Sequence, residues 1–106
     1  MINVAEYCLT KPLSEETYPF GADTTVFKVR GKMFALTPAS DNPDSINLKC
    51  DPTRAILLRQ EHSEIAPGYH MNKIHWNTLD LKGGLSDALI AELIDHSYDL
   101  VAGKHK

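Results

Sequence analysis

The stretch from Thr24 to Leu36 reads TTVFKVRGKMFAL and carries the clearest local signal in the sequence. β-Branched and aromatic residues dominate it, and a glycine lies near its centre, a pattern typical of two strands joined by a tight turn. If Arg30-Gly31 is a two-residue loop, Val29 opposes Lys32 and the two phenylalanines oppose each other. The stretch therefore predicts a β-hairpin with Arg30 and Lys32 at its tip.

The alternation of side chains along this hairpin predicts which of them are buried. Neighbouring residues of a strand point to opposite faces of a sheet, and directly opposed residues share a face. The face that we expect to join the core consists of Thr25, Phe27, Val29, Phe34 and Leu36. The opposite face would carry Val26, Lys28, Met33 and Ala35.

Shorter patterns on either side of the hairpin predict further elements. Apolar side chains recur three or four positions apart in residues 2–10, which favours a short helix ended by Lys11-Pro12. Residues 15–21 then form an extended connector, because Pro19 disfavours helix at Tyr18. Residues 45–50 alternate between polar and apolar side chains and predict a third strand.

Two helix starts can be identified in the second half of the chain. Asp51-Pro52 predicts a helix N-terminus. The Asp51 side chain can accept a hydrogen bond from an unpaired backbone N–H of the first turn, and Pro52 loses no hydrogen bond at the first helical position. We expect this helix to reach about Glu61. Ser86 begins a last helix, which Gly103 ends. Between them, a strand is expected from about His75 to Leu81, with Trp76, Thr78 and Asp80 on one face.

The order of these elements predicts the fold class. A helix, a hairpin, a strand, a helix, one or more strands and a final helix form an α+β domain: a two-layer arrangement with an antiparallel sheet and helices packed on one face. The 106 residues, 42% of them apolar and 24% charged, suit a single domain over residues 1–106 with one hydrophobic core.

Charge and hydropathy restrict the classes of partner. The net charge of −3 argues against a protein that coats nucleic acid by bulk attraction. Residues 24–82 nevertheless hold eight basic and six acidic residues, a net charge of +2, which is compatible with one positive face or with chance. No stretch approaches the roughly 20 apolar residues of a membrane span, and the start lacks the features of a secretory signal. We expect a cytoplasmic protein with no membrane partner.

Metal and catalytic sites are disfavoured by spacing. His70, His75 and His96 are candidate ligands, but two residues five apart point to opposite faces of a regular strand. Cys8 and Cys50 match no metal or redox spacing and suit small buried hydrophobes. The sequence has no nucleophile elbow and no Gly-rich phosphate loop. We therefore expect no metal, no cofactor and no enzymatic activity.

Residues 68–78 read GYHMNKIHWNT and mix large aromatic, cationic and amide side chains. Such a mixture can bind nucleic acid: Tyr69 and Trp76 offer stacking surfaces, and Lys73 could pair with a phosphate. Asn72 and Asn77 could hydrogen-bond base edges. The alternative is that the two aromatic rings only cover the sheet or its helix, and residue types alone leave both interpretations open.

The same segment carries a family resemblance. Together with residues 16–21, 27–35, 47–52 and 93–101, it resembles the MmcQ/YjbR family of small bacterial proteins, in order and over nearly the whole chain. The resemblance implies a two-layer α+β domain of the YjbR and CyaY-like type, and DNA binding through a "double wing". An iron-handling role like that of frataxin-like relatives would need an acidic first helix, and residues 2–10 supply only Glu6.

Transferred to this chain, the resemblance makes the hairpin tip one wing and residues 69–76 a second contact surface. The expected function is a non-catalytic binding domain with DNA as its first-choice ligand. The alternative is a protein-interaction or small-ligand adaptor of the same fold with no nucleic-acid role, and the oligomeric state stays open. The residues expected to contact nucleic acid are Lys28, Arg30, Lys32, Lys49, Tyr69, Asn72, Lys73 and Trp76.

Overall fold

A computed structural model describes residues 2–68 and 71–103 of the chain. The helices and strands alternate in an order close to the one expected from sequence. In chain order they are α1 (Val4–Leu9), β1 (Ser14–Thr17), β2 (Thr24–Val29), β3 (Lys32–Pro38), β4 (Ser45–Lys49), α2 (Pro52–Glu61), β5 (Ile65–Pro67), β6 (Trp76–Asp80) and α3 (Asp87–Ala102).

The strands form one six-stranded sheet in the order β1-β2-β3-β4-β6-β5, and every neighbouring pair is antiparallel. Apolar side chains of α1, α2 and α3 pack in one cluster with inward residues of the sheet, so all three helices cover the same side, here called the helix face. The opposite side is the open face. The expected two-layer α+β fold is confirmed.

The predicted hairpin turn is confirmed, but the strand pairing predicted beyond it is wrong by one residue. Arg30 and Gly31 have φ values of 54° and 78°, as a tight primed turn requires, and Val29 pairs with Lys32. A β-bulge then shifts the register, so that Phe27 pairs with Ala35 rather than with Phe34.

The bulge corrects two of the predicted faces. Because one extra residue enters β3, Ala35 moves to the helix face and Leu36 to the open face, the reverse of the expectation. Phe34 stays on the helix face beside Phe27, with 6.5 Å between the ring centroids. Val26, Leu36 and Trp76 instead form a small separate cluster on the open face.

A serine of α3 spans the gap that the bulge leaves. The paired part of β3 and β4 is short, with Ala35 opposite Leu48 and the next residues opposite each other. Beyond it, the buried Ser97 hydroxyl donates to the carbonyl of Phe34 at 2.6 Å and accepts the N–H of Lys49 at 2.9 Å. The hydroxyl therefore joins the two strands where they do not bond to each other.

The neighbours of Ser97 join α3 to the rest of the helix layer. Asp95 accepts hydrogen bonds from the Tyr7 hydroxyl and from Lys11 Nζ, both at 2.7 Å. His96 Nε2 accepts the N–H of Asp51 at 3.1 Å. The ring of Tyr98 meets the ring of Phe34 edge-on at 5.3 Å. Consecutive residues of one helix thus contact α1, the start of α2 and the sheet.

The helix ends agree with the sequence signals, whereas the short edge strands were not foreseen. Asp51 and Ser86 each accept a backbone N–H of the following turn at 3.1 Å, and Gly103 ends α3 with a φ of 78°. Part of the expected connector is strand β1, which pairs with β2. The strand predicted from His75 to Leu81 spans Trp76–Asp80, and β5 pairs beside it.

Candidate functional site

The predicted contact residues that the structure describes gather at one end of the sheet. β2 ends at Val29 and β3 starts at Lys32, while β4 ends at Lys49 opposite Trp76, where β6 starts. Antiparallel neighbours bring these strand ends together. We call this the basic end; the predicted cations that lie there are Lys28, Arg30, Lys32, Lys49 and Lys73. Tyr69 lies outside the described residues.

The cations of the basic end differ in exposure. Arg30 and Lys32 at the tip are exposed, in accordance with the prediction. Lys28 and Lys49 are half-buried and lie on the open face, with Lys28 opposite Met33 and Lys49 opposite Trp76. Glu15 lies directly across from Lys28 on β1, so part of this positive charge is balanced locally.

The loop between β5 and β6 is held by the polar groups that were predicted to bind nucleic acid. Asn72 Oδ1 accepts the N–H groups of Ile74 at 2.8 Å and of His75 at 3.4 Å. Lys73 Nζ donates to the carbonyl of Gly68 at 3.2 Å, and its own carbonyl accepts from Arg59 at 3.1 Å. Asn72 therefore uses its acceptor oxygen within the loop, while the Lys73 side chain stays exposed.

Trp76 lies on the open face as predicted, but its ring is covered. Trp76 is 9% exposed and packs with Val26 and Leu36. Met33 and Met71 pack against this cluster. The covering follows from the bulge, which turns Leu36 to this face. Little of the Trp76 ring is therefore left for a nucleobase to stack on. Asn77, in contrast, faces the helix side and is 2% exposed, which excludes the predicted base contact unless the sheet opens.

Acidic residues mark the opposite end of the sheet. There β2, β4 and β5 begin and β6 ends, and the acidic residues at these points are Asp23, Asp44, Glu64 and Asp80. Lys82, two residues beyond the end of β6, is the described cation next to them. We call this the acidic end. The sheet is therefore polarised along its strands, although the whole chain carries a net charge of only −3.

A trough on the open face was missed by sequence reasoning. It has a volume of about 490 Å³ and runs from the middle of the sheet toward the acidic end. Its lining consists of Phe20, Asp23, Thr24, Leu36, Thr37, Pro38, Ser45, Asn47 and Met71. The signal available in the sequence was the position of Phe20 between Pro19 and Gly21, where a turn is expected; in the structure Phe20 is 65% exposed.

The described thiols and acids form no metal or redox centre. Within residues 2–68 and 71–103 there is no group of three or more His, Cys, Asp or Glu side chains that could hold a metal ion. Burial raises the pKa of Cys8 to about 12 and also raises the pKa of Cys50, which keeps both thiols protonated and unreactive. The described helices include none long and apolar enough to cross a bilayer.

Comparison with known proteins places the chain in a family. The YjbR family model matches residues 9–100. The chain is 40% identical over 93 residues to the uncharacterised protein YjbR of Escherichia coli K12, covering 88% of this chain and 79% of that protein. It is 42% identical over 93 residues to the uncharacterised protein YbdF of Escherichia coli O157:H7, covering 88% and 76%.

Solved structures agree with this sequence similarity. The crystal structure of Deinococcus radiodurans protein DR2400, a DUF419 domain, matches with a TM-score of 0.87 and 44% identity, covering 95% of this chain and 77% of that one. A crystal structure of a Pseudomonas syringae protein matches with a TM-score of 0.79 and 30% identity, covering 95% and 99%. The chain belongs to the YjbR family.

Proposed function

We propose that this protein is a non-catalytic DNA-binding domain and that the basic end of the sheet is its contact surface. One observation carries the proposal: cations from β2, the hairpin turn, β3, β4 and the β5–β6 loop meet at one end, although they are far apart in the sequence. Lys and Arg side chains that converge in this way can neutralise several phosphates of one backbone.

The spacing of the two projecting elements suits a duplex. The hairpin tip lies between β2 and β3, and the loop that carries Lys73 joins β5 to β6. With about 4.8 Å between strands, the sheet order separates these two elements by roughly 14 Å. This separation is close to the major-groove width of about 12 Å, so each element could contact the phosphates on one side of a groove.

The acidic end gives the complex an orientation. A phosphate backbone is repelled by Asp23, Asp44 and Asp80 and attracted by Arg30 and Lys32, so the DNA should cross the basic end rather than follow the strands. The negative net charge is compatible with this arrangement, because screening at physiological salt limits the range of the distant carboxylates to about 8 Å.

A salt titration of DNA binding tests the proposal. The double substitution Arg30→Ala and Lys32→Ala should weaken binding similarly for different sequences and reduce the slope of log K against log salt by about 0.9 for each lost phosphate contact. Lys82→Ala is the matched control: it removes an exposed cation at the acidic end and should leave both affinity and slope unchanged.

The outcome also decides between DNA binding and the adaptor alternative. An equal loss of affinity per cation removed, so that Lys82→Ala loses about half as much as the double variant, would mean that only the total charge matters, which contradicts a localised site. If the wild-type domain binds no DNA at low salt, a role as a protein-interaction or small-ligand adaptor becomes the better proposal. A pull-down from cell extract would then be the next experiment.

A further inference from the structure

We infer that a small cavity between β6 and α2 binds a single ordered water molecule, held by the side chains of Asn77 and Cys50. The inference goes beyond the proposed function, because this site belongs to the interior of the helix face and not to the DNA contact surface. It is carried by an unpartnered buried amide, a cavity of matching size and a thiol that lines the same cavity.

The amide of Asn77 is buried among apolar side chains. Asn77 pairs with Leu48 of β4 on one side and with Pro67 of β5 on the other, and neither side chain can form a hydrogen bond. Asn77 is 2% exposed, and neither Oδ1 nor Nδ2 has a hydrogen-bond partner among the described residues. A buried amide without a partner is destabilising, and such groups in folded proteins are commonly satisfied by an ordered water molecule.

The cavity beside Asn77 has the size of one water molecule. The space open to the centre of a water molecule is about 10 Å³. One buried water needs about 10–15 Å³ by this measure, so a larger ligand does not fit. The side chain of Lys49, which also borders the cavity, lies on the open face, so no charged side chain favours an ion there. The rest of the wall consists of leucines that are between 1% and 6% exposed: Leu48, Leu58, Leu79 and Leu93.

Cys50 supplies the second partner that a buried water needs. The Cys50 N–H donates to the carbonyl of His75 at 2.7 Å, which extends the β4–β6 pairing and makes Cys50 the diagonal neighbour of Asn77, roughly 7–8 Å away between Cα atoms. Burial raises the pKa of Cys50, so its thiol keeps its proton and can donate as well as accept. A water molecule between the two side chains can accept from one and donate to the other, which gives two hydrogen bonds.

The position of this water gives it a structural role at the start of α2. Cys50 directly precedes Asp51, the N-cap of the helix, so a water shared by Cys50 and Asn77 joins β6 to that start. The buried side chains that α2 itself contributes are Ala55 and Leu58. A polar link beneath the helix therefore adds to a small apolar contact, and asparagine rather than leucine suits position 77 because its amide can bind the water.

Water oxygen-17 relaxation dispersion tests the inference, because it counts the water molecules that stay bound long enough to tumble with the protein. Asn77→Leu removes the amide and fills the cavity with a side chain of similar size, so this variant should lose a single long-lived water relative to the wild type. Asn47→Leu is the matched control: Asn47 lies on the open face of the neighbouring strand, and its replacement should leave the count unchanged. Equal counts in the wild type and in Asn77→Leu would overturn the inference.

A measurement on the wild-type protein keeps the inference testable even if Asn77→Leu does not fold. Cross-relaxation between water and the side-chain amide protons of Asn77 should give NMR peaks of opposite sign in NOE and ROE spectra, whereas mere proton exchange gives the same sign in both. The absence of such peaks would overturn the inference. Cys50→Ser, which keeps a polar group, should retain the long-lived water, and Cys50→Val should lose it; retention in Cys50→Val would overturn the role of Cys50.

Discussion

The side chains of the helix face and of the open face of the sheet are covered to different extents. On the helix face, apolar side chains of α1, α2 and α3 seal the sheet, and polar groups of α3 such as Ser97 and Asp95 are bonded within the protein. On the open face, the buried cluster is small and half-buried lysines flank it, while Phe20 stands 65% exposed. Folding accounts for the side chains of the helix face. It does not account for the cations that gather at the basic end, and the proposed function rests on them.

The largest effect should come from the aromatic core of the helix face. Phe34 is fully buried between the rings of Phe27 and Tyr98, so Phe34→Ala should lower the free energy of unfolding by about 3–5 kcal/mol. Urea denaturation measures the loss. The neighbouring Met33→Ala, half-buried on the open face, is the control and should lose clearly less. Equal losses would remove the distinction between the two faces.

The serine that joins β3 to β4 should have the next largest effect. Ser97→Ala leaves the carbonyl of Phe34 and the N–H of Lys49 without their partner in a buried place, and each such group costs about 1–3 kcal/mol. Ser45→Ala, on the open face, should change stability by less than about 0.5 kcal/mol. If the two substitutions have the same effect in thermal or urea unfolding, Ser97 does not bridge the strands.

The start of α2 gives a smaller effect on the same face. Asp51 accepts the N–H of Arg54 at 3.1 Å, so Asp51→Ala should lower the free energy of unfolding by about 0.5–2 kcal/mol. Asp51→Asn keeps an acceptor at the same position and should recover most of the loss. A substitution to Asn that is as damaging as the one to Ala would show that the charge, and not the cap, is what matters.

His96 should add a small dependence of stability on pH. Burial, with the nearby Arg54 guanidinium, lowers the pKa of His96 below its ordinary value of 6.5, against the opposing carboxylates of Asp51, Asp99 and Glu92. The unfolded chain then binds the proton more readily than the folded one, so stability is complete above about pH 6.5 and falls as the pH drops below it. Protonation also removes the acceptor for the Asp51 N–H.

His96→Gln checks this dependence, because glutamine offers an acceptor that does not titrate. Urea midpoints at about pH 7.5 and about pH 5.5 should differ less for the variant than for the wild type. Carboxylates that titrate in both proteins cancel in this comparison. A variant with the same pH dependence as the wild type would contradict the lowered pKa of His96.

Local signals predicted the helix face well. Helix caps at Asp51 and Ser86 and the turn at Arg30-Gly31 depend on residues next to one another, so the sequence alone indicates them. The bulge in β3 could not be predicted, because the extra residue is accommodated by the hydroxyl of Ser97, 63 positions from Phe34. Strand β1 was missed because SEET has no apolar alternation and gains its strand structure from pairing with β2.

The candidate site was predictable only in part for the same reason. Arg30 and Lys32 follow from the turn, but their meeting with Lys49 and Lys73 depends on the order of strands in the sheet. The trough depends on the bulge, which turns Leu36 to the open face, and on Met71, which packs over that face from a distant loop. Neither contact is encoded in spacing along the chain.

The central claim is that DNA contacts the basic end of the sheet and not the outer surface of the helices. Mapping amide chemical-shift changes by NMR, as DNA is added to the wild-type protein at low salt, tests it most directly. The changes should concentrate in residues 28–33, at Lys49 and in residues 71–76, and should fade as salt is added. Changes concentrated on the outer surface of α3 or at the acidic end around Asp44 and Asp80, or no changes at all, would contradict it.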